Sequence, residues 1–129
     1  MSARIVFDTS ALIALLRNEP GADKVASWVG QAAMSAVNLQ ELVKGLLKRG
    51  LHLSVIEEIV DDLRLEVHDH DRDAAFAAAT LVEATTQYGS GLGDRSCMAL
   101  AIKLGIPVLT TDKAWGKVVV EGLKVEVVR

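Results

Sequence analysis

Arg4-Ile5-Val6-Phe7-Asp8-Thr9-Ser10-Ala11-Leu12-Ile13-Ala14-Leu15-Leu16-Arg17 changes its pattern partway along, and the fold class follows from that change. The uninterrupted apolar run Ile5-Val6-Phe7 predicts a short strand buried on both faces. Residues 11–17 have helical composition. Asp8 stands between the two patterns. An aspartate there is either a helix cap, worth about 1 kcal/mol, or a functional group at the carboxyl end of a strand.

The same alternation continues outward. Glu19-Pro20-Gly21 breaks the chain, and residues 22–29 read as a second helix. Ala33-Met34-Ser35-Ala36-Val37 reads as a second strand, with Asn38 as the cap of a helix over 39–48 that Gly50 stops. A further amphipathic helix is expected over 53–63 and a third strand over 65–68. The alanine-rich segment 72–87 is expected to be one long helix. Gly89-Ser90-Gly91-Leu92-Gly93 reads as a flexible loop, and Asp94 is expected to open a helix ending near Gly105. A fourth strand over 106–110, with Pro107 at its start, a short helix over 114–119 and a last strand over 123–128 complete the order. Strands alternating with helices imply an α/β fold with a parallel sheet covered on both faces. Such sheets bind ligands beyond the carboxyl ends of their strands, where strand order reverses.

Composition bounds the rest. With 129 residues, half of them apolar, the chain is expected to be a single domain over 1–129 with a sizeable core. The positive mean hydropathy points to some apolar surface covered by a partner or a second copy. The apolar run over 11–16 is too short to span a bilayer, and it follows Asp8-Thr9-Ser10 rather than a basic start, so the expected location is cytoplasmic. One cysteine, Cys97, excludes an internal disulfide and a thiolate metal cluster, and its apolar neighbours mark it as a core residue.

Four acids stand at strand ends or helix starts: Asp8 after the first strand, Glu41 in the first turn of the expected third helix, Asp94 opening the helix after the glycine-rich loop, and Asp112 after the fourth strand. If the first and fourth strands are neighbours, their ends lie about 5 Å apart. Carboxylates gathered there repel one another unless a cation joins them. A hard divalent ion such as Mg²⁺ suits oxygen ligands and keeps part of its water shell. Such an ion makes hydroxide available near neutral pH and stabilises the attacking and leaving oxygens of a phosphodiester. Each acid also has a plainer explanation. Asp8, Asp94 and Asp112 can be caps, and Asn38 and Glu41 have capping-box spacing. The net charge of −3 does not forbid a nucleic-acid substrate, because with those four acids set aside 13 acidic residues face 14 basic ones.

At these residues the chain resembles a PIN domain, and more narrowly a VapC-type toxin ribonuclease of a type II toxin–antitoxin pair. Four stretches carry the resemblance: Val6-Phe7-Asp8-Thr9-Ser10-Ala11-Leu12-Ile13-Ala14-Leu15, Ala36-Val37-Asn38-Leu39-Gln40-Glu41, Leu92-Gly93-Asp94-Arg95-Ser96-Cys97-Met98-Ala99-Leu100-Ala101 and Val108-Leu109-Thr110-Thr111-Asp112. Their order and the chain length match together. The resemblance implies a Rossmann-like three-layer sandwich with a parallel sheet of about five strands, the first and fourth adjacent. It further implies Mg²⁺- or Mn²⁺-dependent cleavage of RNA by a metal-activated water, with Asp8, Glu41, Asp94 and Asp112 as catalytic, metal-binding acids. Ser10 and Thr111 fall where the family often has supporting hydroxyls. The expected partners are an RNA substrate, a cognate antitoxin and a second copy in a homodimer.

Arg95 and Lys113 adjoin site acids and are candidate RNA contacts. His68-Asp69-His70-Asp71 has metal-ligand residue types, but Asp71 is well placed to cap the next helix, which makes the run a turn. Trp28 and Trp115 are candidates for base stacking or for core packing. Two other functions fit a chain of this length and pattern. A receiver-like phosphoacceptor would need an acid beside Asp8, where Phe7 and Thr9 stand, and a lysine after the last strand. A non-catalytic binding module would keep the fold and act through partners.

Overall fold

A computed structural model describes residues 2–129. Five parallel strands, β1 (Ile5–Phe7), β2 (Ala32–Ser35), β3 (Glu66–His68), β4 (Val108–Thr110) and β5 (Val125–Val127), form one sheet in the order β3-β2-β1-β4-β5. The helices are α1 (Thr9–Leu16), α2 (Ala22–Ala26), α3 (Ala36–Lys48), α4 (Leu53–Leu63), α5 (Arg72–Ala79), α6 (Val82–Thr85) and α7 (Leu92–Leu104), with 3₁₀ turns at Thr86–Tyr88 and Lys113–Lys117. The fold is the expected α/β three-layer arrangement, with β1 and β4 adjacent through Val6 opposite Val108 and Phe7 opposite Leu109.

The central strands are apolar throughout because both faces are covered. Ile5, Phe7, Met34 and Leu109 point to one side and pack against Leu12 of α1 and Leu42 of α3. Val6, Ala33 and Val108 point to the other, against Cys97, Met98 and Ala101 of α7. This two-residue alternation follows the strand pleat, which turns successive side chains to opposite faces. Trp115 is 1% exposed inside the second cluster, so it is a core residue and cannot stack a base. Trp28 packs against the first cluster. Among the described residues no helix is long and apolar enough to cross a membrane.

Three local expectations are corrected. Helix α3 starts at Ala36 rather than Leu39, and Ser35, whose hydroxyl accepts from the Val37 N–H at 3.2 Å, is its cap. Asn38 therefore lies inside the helix and caps nothing. The segment 72–87 is not one helix: it breaks after Ala79, where the Thr80 hydroxyl donates to the Ala77 carbonyl at 2.7 Å and Thr85 and Thr86 bond back to Leu81 and Val82. Such back-bonding competes with the helix ladder. Asp94 does not open α7 but is its third residue, and the expected helix over 114–119 is the 3₁₀ turn Lys113–Lys117.

From β1 the sheet runs through β2 to β3 on one side and through β4 to β5 on the other. The order therefore reverses between β1 and β4, and a crevice opens beyond their carboxyl ends. Asp8 follows β1 and Asp112 lies two residues past β4, both at that edge.

Candidate active site

Asp8 occupies the cap position of α1, yet its carboxylate does not cap the helix. Instead Oδ2 accepts from the Ser10 hydroxyl at 2.7 Å and the Thr110 hydroxyl at 2.9 Å. The two hydroxyls stand 3.2 Å apart, Ser10 Oγ accepts from the Thr111 N–H, and Thr110 Oγ1 accepts from the Asp112 N–H. Asp8 is thus clamped into the β1–β4 crevice by polar groups from both strand ends. Ser10 thus contacts Asp8 directly. From β4 the supporting hydroxyl is that of Thr110, and Thr111 takes part through its backbone. Thr110 sits within the strand's apolar run, and only its partners reveal its role.

Because α3 starts at Ala36, Glu41 lies in its second turn rather than the expected first. Its Oε1 accepts from the Thr9 hydroxyl at 3.1 Å and from the Asn38 side-chain amide at 2.9 Å. That amide also donates to the Gly93 carbonyl at 3.0 Å. Both neighbours are acceptors, so the amide orientation is fixed, and Asn38 Oδ1 is left buried without a partner. Asn38 is fully buried and ties α3 to the start of α7. Sequence spacing marked Asn38 and Glu41 as a capping pair; the contact is real, but it serves Glu41 rather than a helix end. Gly93 belongs to the same arrangement: a Cβ there would collide with the Glu41 carboxylate, standing 2.6 Å from Oε1.

Asp94 Oδ2 accepts from the Gly91 N–H at 3.1 Å in the first turn of α7, where the helix dipole favours a negative charge. Asp112 caps the following 3₁₀ turn, its Oδ1 accepting from the Ala114 N–H at 3.0 Å. Capping thus accounts for one oxygen of Asp112, and for Asp8 it accounts for none.

The four acids sense one another. Burial pushes the Asp8 carboxyl up to about 6; the Ser10 and Thr110 hydroxyls and the Thr9 backbone pull against this, while the negative charge of Asp94 adds to it. Asp94 is also raised, first by burial and then by Glu41 and Asp112, against the Gly91 N–H and the Arg95 charge. Asp94 is therefore the electrostatic centre of the group. Among the described residues the ion pairs involve Glu19, Glu66 and Glu126, so none of the four acids is in an ion pair. Arg95 turns its guanidinium to the Ser90 carbonyl at 2.7 Å, and Lys113 is exposed beside Asp112. Cys97 lies beneath the cluster with its thiol on the Phe7 carbonyl, and burial holds it firmly protonated.

This all-oxygen, uncompensated donor set suits a hard divalent cation. Among the described residues no three His, Cys, Asp or Glu side chains stand close enough to enclose an ion by themselves. A cation that keeps several waters fits such a spread set better than one that demands a closed protein cage.

The arrangement defines an α/β domain with an acidic crevice at its topological switch point. The chain belongs to the PIN-domain family, whose model matches residues 5–120. That membership sets aside a receiver-like phosphoacceptor. No curated protein matches the sequence. Among solved structures the chain is similar to DNA-bound VapBC from Salmonella typhimurium, with 20% identity and a TM-score of 0.71 over 98% of this chain and 99% of that one. It is likewise similar to a toxin–antitoxin complex from Klebsiella pneumoniae, with 22% identity and a TM-score of 0.70 over 95% of each chain. VapBC2 from Rickettsia felis, bound to a promoter DNA fragment, is similar at 20% identity and a TM-score of 0.70, over 95% of this chain and 96% of that one.

Two outcomes follow. Because the Asp8 carboxyl lies above its ordinary 3.8, the native state keeps a proton that the unfolded chain releases. Metal-free stability should therefore fall as pH rises from about 4 to about 6, with an Asp8 share of about 3 kcal/mol. Urea melts in EDTA across this range should show the fall, and Asp8→Asn should flatten it; equal slopes would contradict the burial argument. Gly93→Ala should expel the Glu41 carboxylate from its two bonds. Stability should change by less than about 1 kcal/mol, since alanine gains helix propensity, while Mg²⁺ affinity by calorimetry should weaken about tenfold.

Proposed function

We propose that the protein is a divalent-metal-dependent endoribonuclease acting as the toxin of a toxin–antitoxin pair. One observation carries this reading: at the edge of the β1–β4 crevice the charge of Asp94 adds to the raised proton affinity of Asp8, and the charges of Glu41 and Asp112 add to that of Asp94, with no ion-pair partner on any of the four among the described residues. Similarity to VapBC and other toxin–antitoxin structures supports the biological half of the proposal.

Asp8, Asp94, Glu41 and Asp112 would hold Mg²⁺ or Mn²⁺. When bound, such an ion supplies an acidified water and stabilises charge on the phosphodiester oxygens. The chain's own residues provide the placement. Ser10 and Thr110 fix the Asp8 rotamer across two strands, so the carboxylate meets its ligand without reorganisation. Thr9 and Asn38 do the same for Glu41. Arg95 and Lys113, flanking Asp94 and Asp112, draw the RNA phosphates toward the crevice. Cleavage leaves a 3′-hydroxyl and a 5′-phosphate. The protein works in the cytoplasm as a homodimer and is silenced by its cognate antitoxin.

A second reading rests on the spacing of the acids. Because no three of them close around an ion, a PIN-fold binding module acting only through partners is the competing assignment. Purified protein incubated with RNA and Mn²⁺ separates the two. Wild type should cleave, EDTA should stop it, and Asp8→Asn should lower the rate more than about a hundredfold, the upper range for loss of a ligand's supporting partner. Equal cleavage by both proteins, or none by either at any Mn²⁺ concentration, would overturn the nuclease reading.

A further inference from the structure

A cavity of about 210 Å³ lies between α5 and α7, beyond the carboxyl ends of β2 and β3. Its polar lining includes His68, His70, Ser96 and Lys103 together with the carboxylates of Asp69 and Asp73, and its apolar lining includes Ala77 and Ala99. The run His68-Asp69-His70-Asp71 is thereby explained in part. Asp71 caps α5 through the Ala74 N–H at 2.9 Å, while the two histidines before it turn into the cavity.

A second cleft of about 410 Å³ shares His70 and Ser96 with the first and reaches Leu92 and Arg95. Arg95 adjoins Asp94. The two openings therefore adjoin along α7, and the second ends at Arg95, the residue that follows Asp94. The strand order sets the scale: β3 and β2 end about 10 and 5 Å from the end of β1. That span is within a few nucleotides of an RNA strand lying across the edge.

We infer that this cavity is a subsite for one splayed base of single-stranded RNA, a few nucleotides from the cleaved bond; the inference rests on the nuclease reading above. Unstacked bases are recognised by aromatic faces, histidine among them, and by hydrogen bonds to their edges. The Glu66 carboxylate holds the His68 ring from one side at 2.7 Å, which fixes its plane. The alanine walls leave a slot rather than a filled core.

The lining also selects among bases. The Ser96 hydroxyl is spent on the Leu92 carbonyl at 2.8 Å, so its oxygen faces the cavity as an acceptor. Asp69 and Asp73 add carboxylate acceptors at the rim. An acceptor-rich edge favours the exocyclic amines of guanine, adenine and cytosine, which uracil lacks. Lys103, which enters no ion pair among the described residues, supplies the counter-charge for a neighbouring phosphate.

The test is an NMR titration of the full chain in EDTA with each of the four ribonucleoside 5′-monophosphates. GMP, AMP and CMP should shift the imidazole signals of His68 and His70, and UMP should shift them least. Ala77→Phe, on an exposed position of α5 that lines the cavity, should fill the slot and abolish the shifts; His70→Ala should weaken binding about tenfold, the scale of one lost base stack. Shifts that are absent, equal for all four nucleotides or unchanged in Ala77→Phe overturn the subsite. Cleavage of RNA with Mn²⁺, measured on the same preparations, keeps the two readings apart. Cleavage without nucleotide shifts removes the subsite and leaves the nuclease reading; selective shifts without cleavage remove the nuclease reading and overturn the subsite's place beside a cleaved bond, leaving only a nucleotide-binding cavity.

Discussion

Like charges held close together at the buried end of a strand are the constraint on which the rest of this molecule depends. Asp8 is 5% exposed, carries no cationic partner and faces Asp94 across the crevice. An isolated carboxylate would relieve this strain by rotating toward water or by keeping its proton. Rotation is blocked here, because hydroxyls from β1–α1 and β4 grip the same carboxylate oxygen. The proton, or a cation in its place, is the remaining relief. The fold stores an electrostatic demand that a proton or a bound cation would answer.

The scaffold is built to keep that demand in place. The sheet buries both faces, so the β1 and β4 ends cannot shift independently. On the far side of the crevice α3 and α7 are joined not by bulky packing but by Asn38, whose amide bridges Glu41 and Gly93. The orphaned Oδ1 of Asn38 is a cost the structure accepts to hold Glu41 against α7. Glycine at position 93 is what lets the carboxylate lie that close. A larger residue there would preserve the helix and lose the arrangement.

Much of this was legible from the chain alone, for identifiable reasons. Ile5-Val6-Phe7 before Asp8, and Val108-Leu109 before Asp112, announce buried parallel strands ending in acids, because apolar continuity and strand-end polarity are local properties. The start of α3 was not legible in the same way. Ser35 and Asn38 are both good caps, and only the contact with Gly93, 55 residues away, draws Asn38 into the helix interior. The role of Thr110 was hidden for the same reason, since a threonine in a strand gives no sign of the carboxylate across the crevice. The break after Ala79 was obscured by alanine, whose helix propensity masks the threonines that end the helix. Pairings between distant segments were thus the part that composition and spacing could not supply.

The proposed function depends on cation binding at the edge where Asp8, Glu41, Asp94 and Asp112 stand. Paramagnetic broadening by Mn²⁺ addresses it most directly, since it maps distance from the ion rather than a consequence of binding. Substoichiometric Mn²⁺ should first erase the amide signals of Asp8, Thr9, Gly93, Asp94 and Thr111, leaving Asp61, Asp62 and the turn around Asp69 sharp. Broadening centred on those other acids, or spread evenly over every exposed carboxylate, would contradict the account.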